Sequence, residues 1–252
     1  MQFFDHDGFR IAYVDEGEGD PVLLIHGFAS THSINWVTPG WVKTLVDAGY
    51  RAIALDNRGH GQSSKSYEPD DYRPEKMAGD AAALLTHLGI GRAHILGYSM
   101  GARISAFLAI TKPAMVATLT FGGLGIGMVD GVPGGPEIEK ALLAEDPEAA
   151  TADPVALRFR KFADQTKSDR RALAACMRTS RAVLGEADMA RIGQPTLVAV
   201  GTRDDIGGDP DALVALMPDA TAFHIEGRDH MLAVGDRSFK KRTLEFLAQH
   251  PL

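Results

Sequence analysis

Gly97-Tyr98-Ser99-Met100-Gly101 sets a serine between glycines two positions to either side. A hydroxyl on so tight a turn suits nucleophilic attack on a carbonyl, provided that a base takes its proton. Composition alone produces such a string roughly once in nine chains of this length, so its surroundings decide its meaning. Here an apolar run from Ala93 to Gly97 leads in and a helical pattern leads out. A sharp strand-to-helix turn forces unfavourable backbone angles on Ser99 and crowds neighbouring segments, which is where glycine removes colliding side chains. The helix that starts at Met100 would aim its first N–H groups at the site, favouring developing negative charge. A serine that merely caps that helix would carry the same letters.

A serine nucleophile calls for a histidine base with an acid behind it. His230, in Gly227-Arg228-Asp229-His230-Met231, follows the last expected strand and precedes the last helix, on the same sheet edge as Ser99. His26 ends a strand and His60 lies in a glycine-bounded turn, so both fall near the site without being the base. His6, His87, His94, His224 and His250 read as surface or packing residues. For the acid, Asp204 and Asp205 both leave the penultimate strand; Asp204 is preferred because it comes sooner off the strand and is held more rigidly. Either aspartate also suits a turn or a cap, and Asp130 is a more distant option. Two N–H donors must meet the oxyanion: Met100 offers one and Phe28, after His26-Gly27, the other.

The elements that must position these groups alternate short apolar runs with helix-period segments, the pattern of a mostly parallel sheet covered on both faces. Strands are expected at 2–5, 9–15, 21–26, 51–55, 93–97, 115–121, 196–200 and 221–225, the first two joined by an Asp7-Gly8 turn. Helices are expected from Thr38-Pro39 to Gly49, from Pro74 to Gly89, over 100–111, 211–217 and 236–248. The rhythm breaks at 122–135, which carries seven glycines, and three polar helical stretches follow at 136–145, 154–165 and 168–184. Residues 123–190 therefore read as an insertion into a core formed by 1–122 and 191–252. Its first part, 137–153, has six acids against one lysine; 155–191 has nine bases against four acids.

The chain's 252 residues suit one domain with a modest insertion. A net charge of -7 disfavours general affinity for nucleic acid or anionic membranes. One cysteine, Cys176, forms neither an intrachain disulfide nor a multi-cysteine zinc site, which is compatible with a reducing cytoplasm. Met1 to Asp7 lacks a basic start and an apolar stretch, so neither secretion nor membrane spanning is expected.

With Ser99, Asp204 and His230 in that chain order and His26-Gly27-Phe28 upstream, the sequence resembles the α/β-hydrolase superfamily. Asp56-Asn57-Arg58-Gly59-His60-Gly61-Gln62-Ser63 is similar to the D-x-R-G-x-G-x-S turn of many members. The resemblance implies an eight-stranded, mostly parallel α/β sheet flanked by helices, Asp204 as the acid, and a small helical cap at 123–190. Its implied chemistry is cofactor-free and metal-free serine hydrolysis of a small-molecule carboxylic ester. Aspartate-nucleophile dehalogenases and epoxide hydrolases are set aside because serine stands at 99. Carbon–carbon bond hydrolysis is the alternative, and a non-catalytic ligand sensor a further one. Phe28, Trp36, Tyr98, Met100, Leu124 and Met231 are the expected pocket residues. Arg158, Arg160, Lys161, Arg170, Arg171, Arg178 and Arg181 form either a solvated face or a lure for a carboxylate-bearing substrate.

Overall fold

A computed structural model describes residues 1–252. Eight strands make one sheet: β1 (Gln2–His6), β2 (Phe9–Glu16), β3 (Pro21–Ile25), β4 (Arg51–Leu55), β5 (Ala93–Tyr98), β6 (Val116–Gly122), β7 (Thr196–Gly201) and β8 (Ala220–Ile225). Their order is β1-β2-β4-β3-β5-β6-β7-β8. β1 and β2 are antiparallel, joined by Asp7 and Gly8, both at positive φ; from β4 through β8 every pairing is parallel.

Because both faces are covered, the central strands read as unbroken apolar runs. Leu23 and Ile25 of β3 join the core shared with α2 (Pro74–His87) and α3 (Met100–Thr111). Val22 and Leu24 point the other way, into the core shared with α1 (Trp41–Asp47) and α11 (Arg237–Ala248). Chain order reverses at β3, whose neighbours are β4 and β5, and the crevice beyond the C-terminal ends of β3 and β5 is where such sheets hold ligands.

Between β6 and β7 lie six helices rather than three: α4 (Gly127–Asp130), α5 (Gly135–Leu143), α6 (Pro147–Ala150), α7 (Pro154–Gln165), α8 (Arg170–Thr179) and α9 (Glu186–Met189). The expected 168–184 helix is thus shorter at both ends. Asp146, Asp153 and Asp169 each cap a helix by accepting two backbone N–H groups, and proline follows the first two at the first helical position. Helix α10 (Pro210–Val214) precedes β8.

The helix expected from Pro39 starts instead at Trp41. A π-turn over Ser33–Val37 ends with Thr38 N–H donating to the Ser33 carbonyl at 2.8 Å, so Thr38 closes one turn instead of opening the next. Gly40, at φ 84, then redirects the chain into α1.

Candidate active site

Ser99 sits at φ 55 and ψ -112, a conformation that costs on the order of 1–3 kcal/mol and persists only where neighbours over-determine it. Three contacts do so. The Ser99 N–H donates to the Gly122 carbonyl at 2.7 Å. A Cβ on Gly97 would stand 2.2 Å from the Gly101 oxygen, and one on Gly101 would stand 1.9 Å from the Ile25 oxygen. Bare glycine thus lets α3 press against the ends of β3 and β5.

The His230 Nε2 lies 3.0 Å from Ser99 Oγ, and its Nδ1 lies 2.8 Å from Asp204 Oδ2. Asp204 spends its other oxygen on the N–H groups of Ile206 at 2.8 Å and Gly207 at 2.9 Å. Burial pushes the Asp204 carboxyl up, but His230 and these two amides outweigh it and hold the acid below the usual carboxylate range. An ionised Asp204 fixes the proton on Nδ1 and leaves Nε2 free to accept from serine. The loops bearing Asp204 and His230 run backbone against backbone: Arg203 N–H donates to the Arg228 carbonyl at 2.9 Å, and a Cβ on Gly201 would meet that same oxygen at 2.1 Å. The Tyr98 hydroxyl donates to the His230 carbonyl at 2.6 Å, so the residue before Ser99 anchors His230. Asp205 faces away, paired with Arg158 at 2.9 Å, and Asp130 is exposed at the end of α4.

Phe28 and Met100 flank Ser99, and neither backbone N–H donates to a protein acceptor. The loop carrying Phe28 is pinned on both sides. Gly27 N–H donates to Asn35 Oδ1 at 2.8 Å, while His26 Nδ1 donates to the Gly27 carbonyl at 2.7 Å and Nε2 accepts from Asn57 N–H at 3.0 Å. Burial drives His26 down to about 4, so it is neutral and locked in one tautomer. His60, driven by burial to about 3, stacks edge-on against Phe28 and His26.

Asp56 accepts from both the backbone and the Nδ1 of His32 at 2.8 Å, and from Gln62 N–H at 2.8 Å. Burial works to raise its pKa, but these partners and the nearby His26 hold it at about 2. A Cβ on Gly61 would stand 2.0 Å from Asp56 Oδ2, and Ser63 Oγ bridges the Asp56 carbonyl to Ala12 N–H. The 56–63 turn therefore buttresses the Phe28 loop; its His32 partner gave no sequence signal, since histidine in a loop has no periodicity.

Two cavities open beside the serine. The larger, about 320 Å³, is lined by Phe28, Tyr98, Ser99, His230 and Met231, together with Phe159 and Phe162 of α7. The smaller, about 40 Å³, meets Phe28, Ser99, Met100 and Leu124, with Arg103 and Arg181. Trp36 lines neither: it is fully buried, edge-on to Trp41 with ring centroids 5.9 Å apart, because its indole fills the α1 core rather than the crevice. Phe159, Phe162, Asn35 and Ser30 line the larger cavity without having been expected there. No group of three or more His, Cys, Asp or Glu side chains converges as metal ligands would, and no helix is long and apolar enough to cross a membrane.

A family model described as alpha/beta hydrolase fold matches residues 20–126. Among solved structures, the chain superposes on a hydrolase from Pseudomonas aeruginosa PA01 with a TM-score of 0.79, at 25% identity over 97% of each chain. It superposes on an esterase from Exiguobacterium antarcticum with a TM-score of 0.76, at 20% identity over 95% of this chain and 96% of that one. Among curated sequences it is similar to the dihydrolipoyllysine-residue acetyltransferase component of the acetoin cleaving system of Cupriavidus necator. That match is 40% identical over 119 residues, 47% of this chain and 30% of the relative. The chain spans less than half the length of such curated relatives. Other similar proteins are named epoxide hydrolase, bromoperoxidase and meta-cleavage product hydrolase.

Proposed function

This chain is an α/β-hydrolase-fold protein, and from that premise we propose that it is a serine hydrolase cleaving carboxylic esters of small to medium size. The unbroken relay from Asp204 through His230 to Ser99, at 2.8 and 3.0 Å, carries the reading. Ser99 Oγ attacks the ester carbonyl carbon while His230 Nε2 takes its proton. Phe28 and Met100 N–H groups receive the oxyanion; one such donor is worth about 2.7–4 kcal/mol of barrier. Collapse of the tetrahedral species breaks the bond to the leaving oxygen, which takes the proton from His230 and departs as alcohol. Water, deprotonated by the same imidazole, then attacks the acyl-enzyme and releases the carboxylic acid. Residues 123–190 act as a cap, with Phe159 and Phe162 walling the larger cavity. The substrate is a small molecule, and no step needs a cofactor.

The test is p-nitrophenyl ester hydrolysis with acyl chains from C2 to C12, wild type beside Ser99→Ala. We expect a chain-length optimum that the substitution lowers on the order of 10⁶-fold. Turnover that survives Ser99→Ala would end the serine mechanism. Equal inactivity of both proteins, with turnover of a dienol ring-cleavage product, would shift the assignment to carbon–carbon bond hydrolysis through the same Ser99 and His230.

A further inference from the structure

Arg103 lies on the first turns of α3, four residues past the nucleophile, and is 2% exposed. Its guanidinium donates to the carbonyls of Gly127 at 2.8 Å, Met128 at 2.9 Å and Ala182 at 2.9 Å. Arg181 enters the same cavity from the loop after α8, held by the carbonyls of Val132 at 2.9 Å and Pro133 at 2.7 Å. Neither guanidinium has a carboxylate within 4.0 Å. Arg58, Arg158, Arg160 and Arg178 do, each paired with an aspartate or glutamate.

Carbonyl dipoles orient the two cations but leave two full charges, one buried at Arg103 and one half-buried at Arg181, beside a largely apolar cavity. Burial pulls each down to about 10, and Arg181 adds its repulsion to Arg103; both stay charged at neutral pH. Burying unpaired like charges together is expensive, and a carboxylate between them would relieve both. The leaving oxygen must reach His230, which lines only the larger cavity, so the leaving alcohol belongs there and the acyl chain in the smaller one. About 40 Å³ admits a short chain only.

We propose that Arg103 and Arg181 bind a carboxylate at the far end of a short acyl group, making the substrates monoesters of short dicarboxylic acids. The proposal rests on the ester-hydrolase reading above, and hydrolysis adds one water to give the dicarboxylate and the alcohol. It differs from attraction by the basic cap surface, since Arg158, Arg160, Arg170 and Arg178 are already paired with carboxylates.

The experiment compares monobutyl succinate with butyl levulinate, which replaces the carboxylate by a methyl ketone of equal length, following butanol release. Wild type is expected to favour the succinate in kcat/KM roughly tenfold to a hundredfold, the range for a hydrogen bond to a charged group. Arg181→Gln removes most of that preference and Arg181→Lys restores part of it. Arg103 also holds three carbonyls, so Arg103→Met is read only beside its thermal midpoint. A levulinate ester cleaved as well as the succinate, with a ratio that Arg181→Gln leaves alone, overturns the anion site while the hydrolase stands. If neither ester is cleaved faster than by Ser99→Ala, the hydrolase reading fails instead. Calorimetric titration of succinate into Ser99→Ala protein then decides the anion site: heat abolished by Arg181→Gln upholds it, and no heat with Arg181 present overturns it.

Discussion

Replacing Gly101 by alanine would separate the two N–H groups proposed to receive the oxyanion without touching Ser99, His230 or Asp204. The added Cβ would sit 1.9 Å from the Ile25 oxygen and 2.6 Å from its carbonyl carbon, whereas real Cβ contacts need at least 3.0 Å. Both obstacles are backbone at the end of a central strand, so the helix must yield, retreating by about 1.1 Å. That motion carries the Met100 N–H away from the Phe28 N–H, which stays with β3. Misplacement of about 1 Å at a reacting centre is enough to lose on the order of 10²-fold in rate, while overpacking costs about 1–3 kcal/mol of stability. The assay pairs kcat/KM on the best p-nitrophenyl ester with urea unfolding, using Gly91→Ala, which meets nothing within 4 Å, as the control. A folded Gly101→Ala protein with activity within threefold of wild type would refute the argument that close approach of α3 to β3 sets the donors.

Asp204→Asn should lower kcat on the order of 10⁴-fold, because the amide oxygen stays with the Ile206 and Gly207 N–H groups and the NH₂ turned toward Nδ1 forces the wrong tautomer on His230. Asp205→Asn, which loses only an exposed pairing with Arg158, should change kcat less than twofold; the opposite ranking would reassign the acid. Stability should fall as pH drops from 7 to 5. His26 and His60, held by burial near 4 and 3, stay neutral in the fold, while the unfolded chain protonates them below about 6.5. Their contribution is complete above that pH and shrinks below it, by on the order of 2 kcal/mol each at pH 5. Urea midpoints that hold constant over this range contradict buried, neutral histidines.

That Ser99, His230 and Asp204 meet is legible because each leaves the C-terminal end of a strand, and apolar runs of fixed length locate those ends. The α/β class followed from the same runs. Helix α1 was misplaced because Thr38-Pro39 carries a valid start signal that the π-turn before it pre-empts, and a π-turn has no sequence signature. Trp36 is expected among the pocket residues, whereas the packing of two indoles puts it in the core. Arg103 did leave a trace: it is the only charged residue in the apolar helix Met100–Thr111. Its partners are carbonyls of the glycine-rich 122–135 stretch and of Ala182, and periodicity says nothing of how such a stretch folds back.

The strained Ser99 and His230 are coupled more tightly than their own hydrogen bond requires. Tyr98 and Ser99 are consecutive, and alternation at the end of β5 sends their side chains to different neighbours. Tyr98, its ring packed against Gly122 and Gly123, grips the His230 carbonyl through its hydroxyl, while the Ser99 N–H grips the Gly122 carbonyl. Gly123 in turn donates to Ala199 on β7, the strand that leads to Asp204. Ser99, His230 and Asp204 thus hang from one short set of backbone bonds across β5, β6 and β7. The N–H groups proposed to receive the oxyanion lie outside this set, since Phe28 sits on the loop after β3 and Met100 opens α3. The glycine at 101 is where the two sets are held in register, which is why a single methyl group there should do more damage than its size suggests.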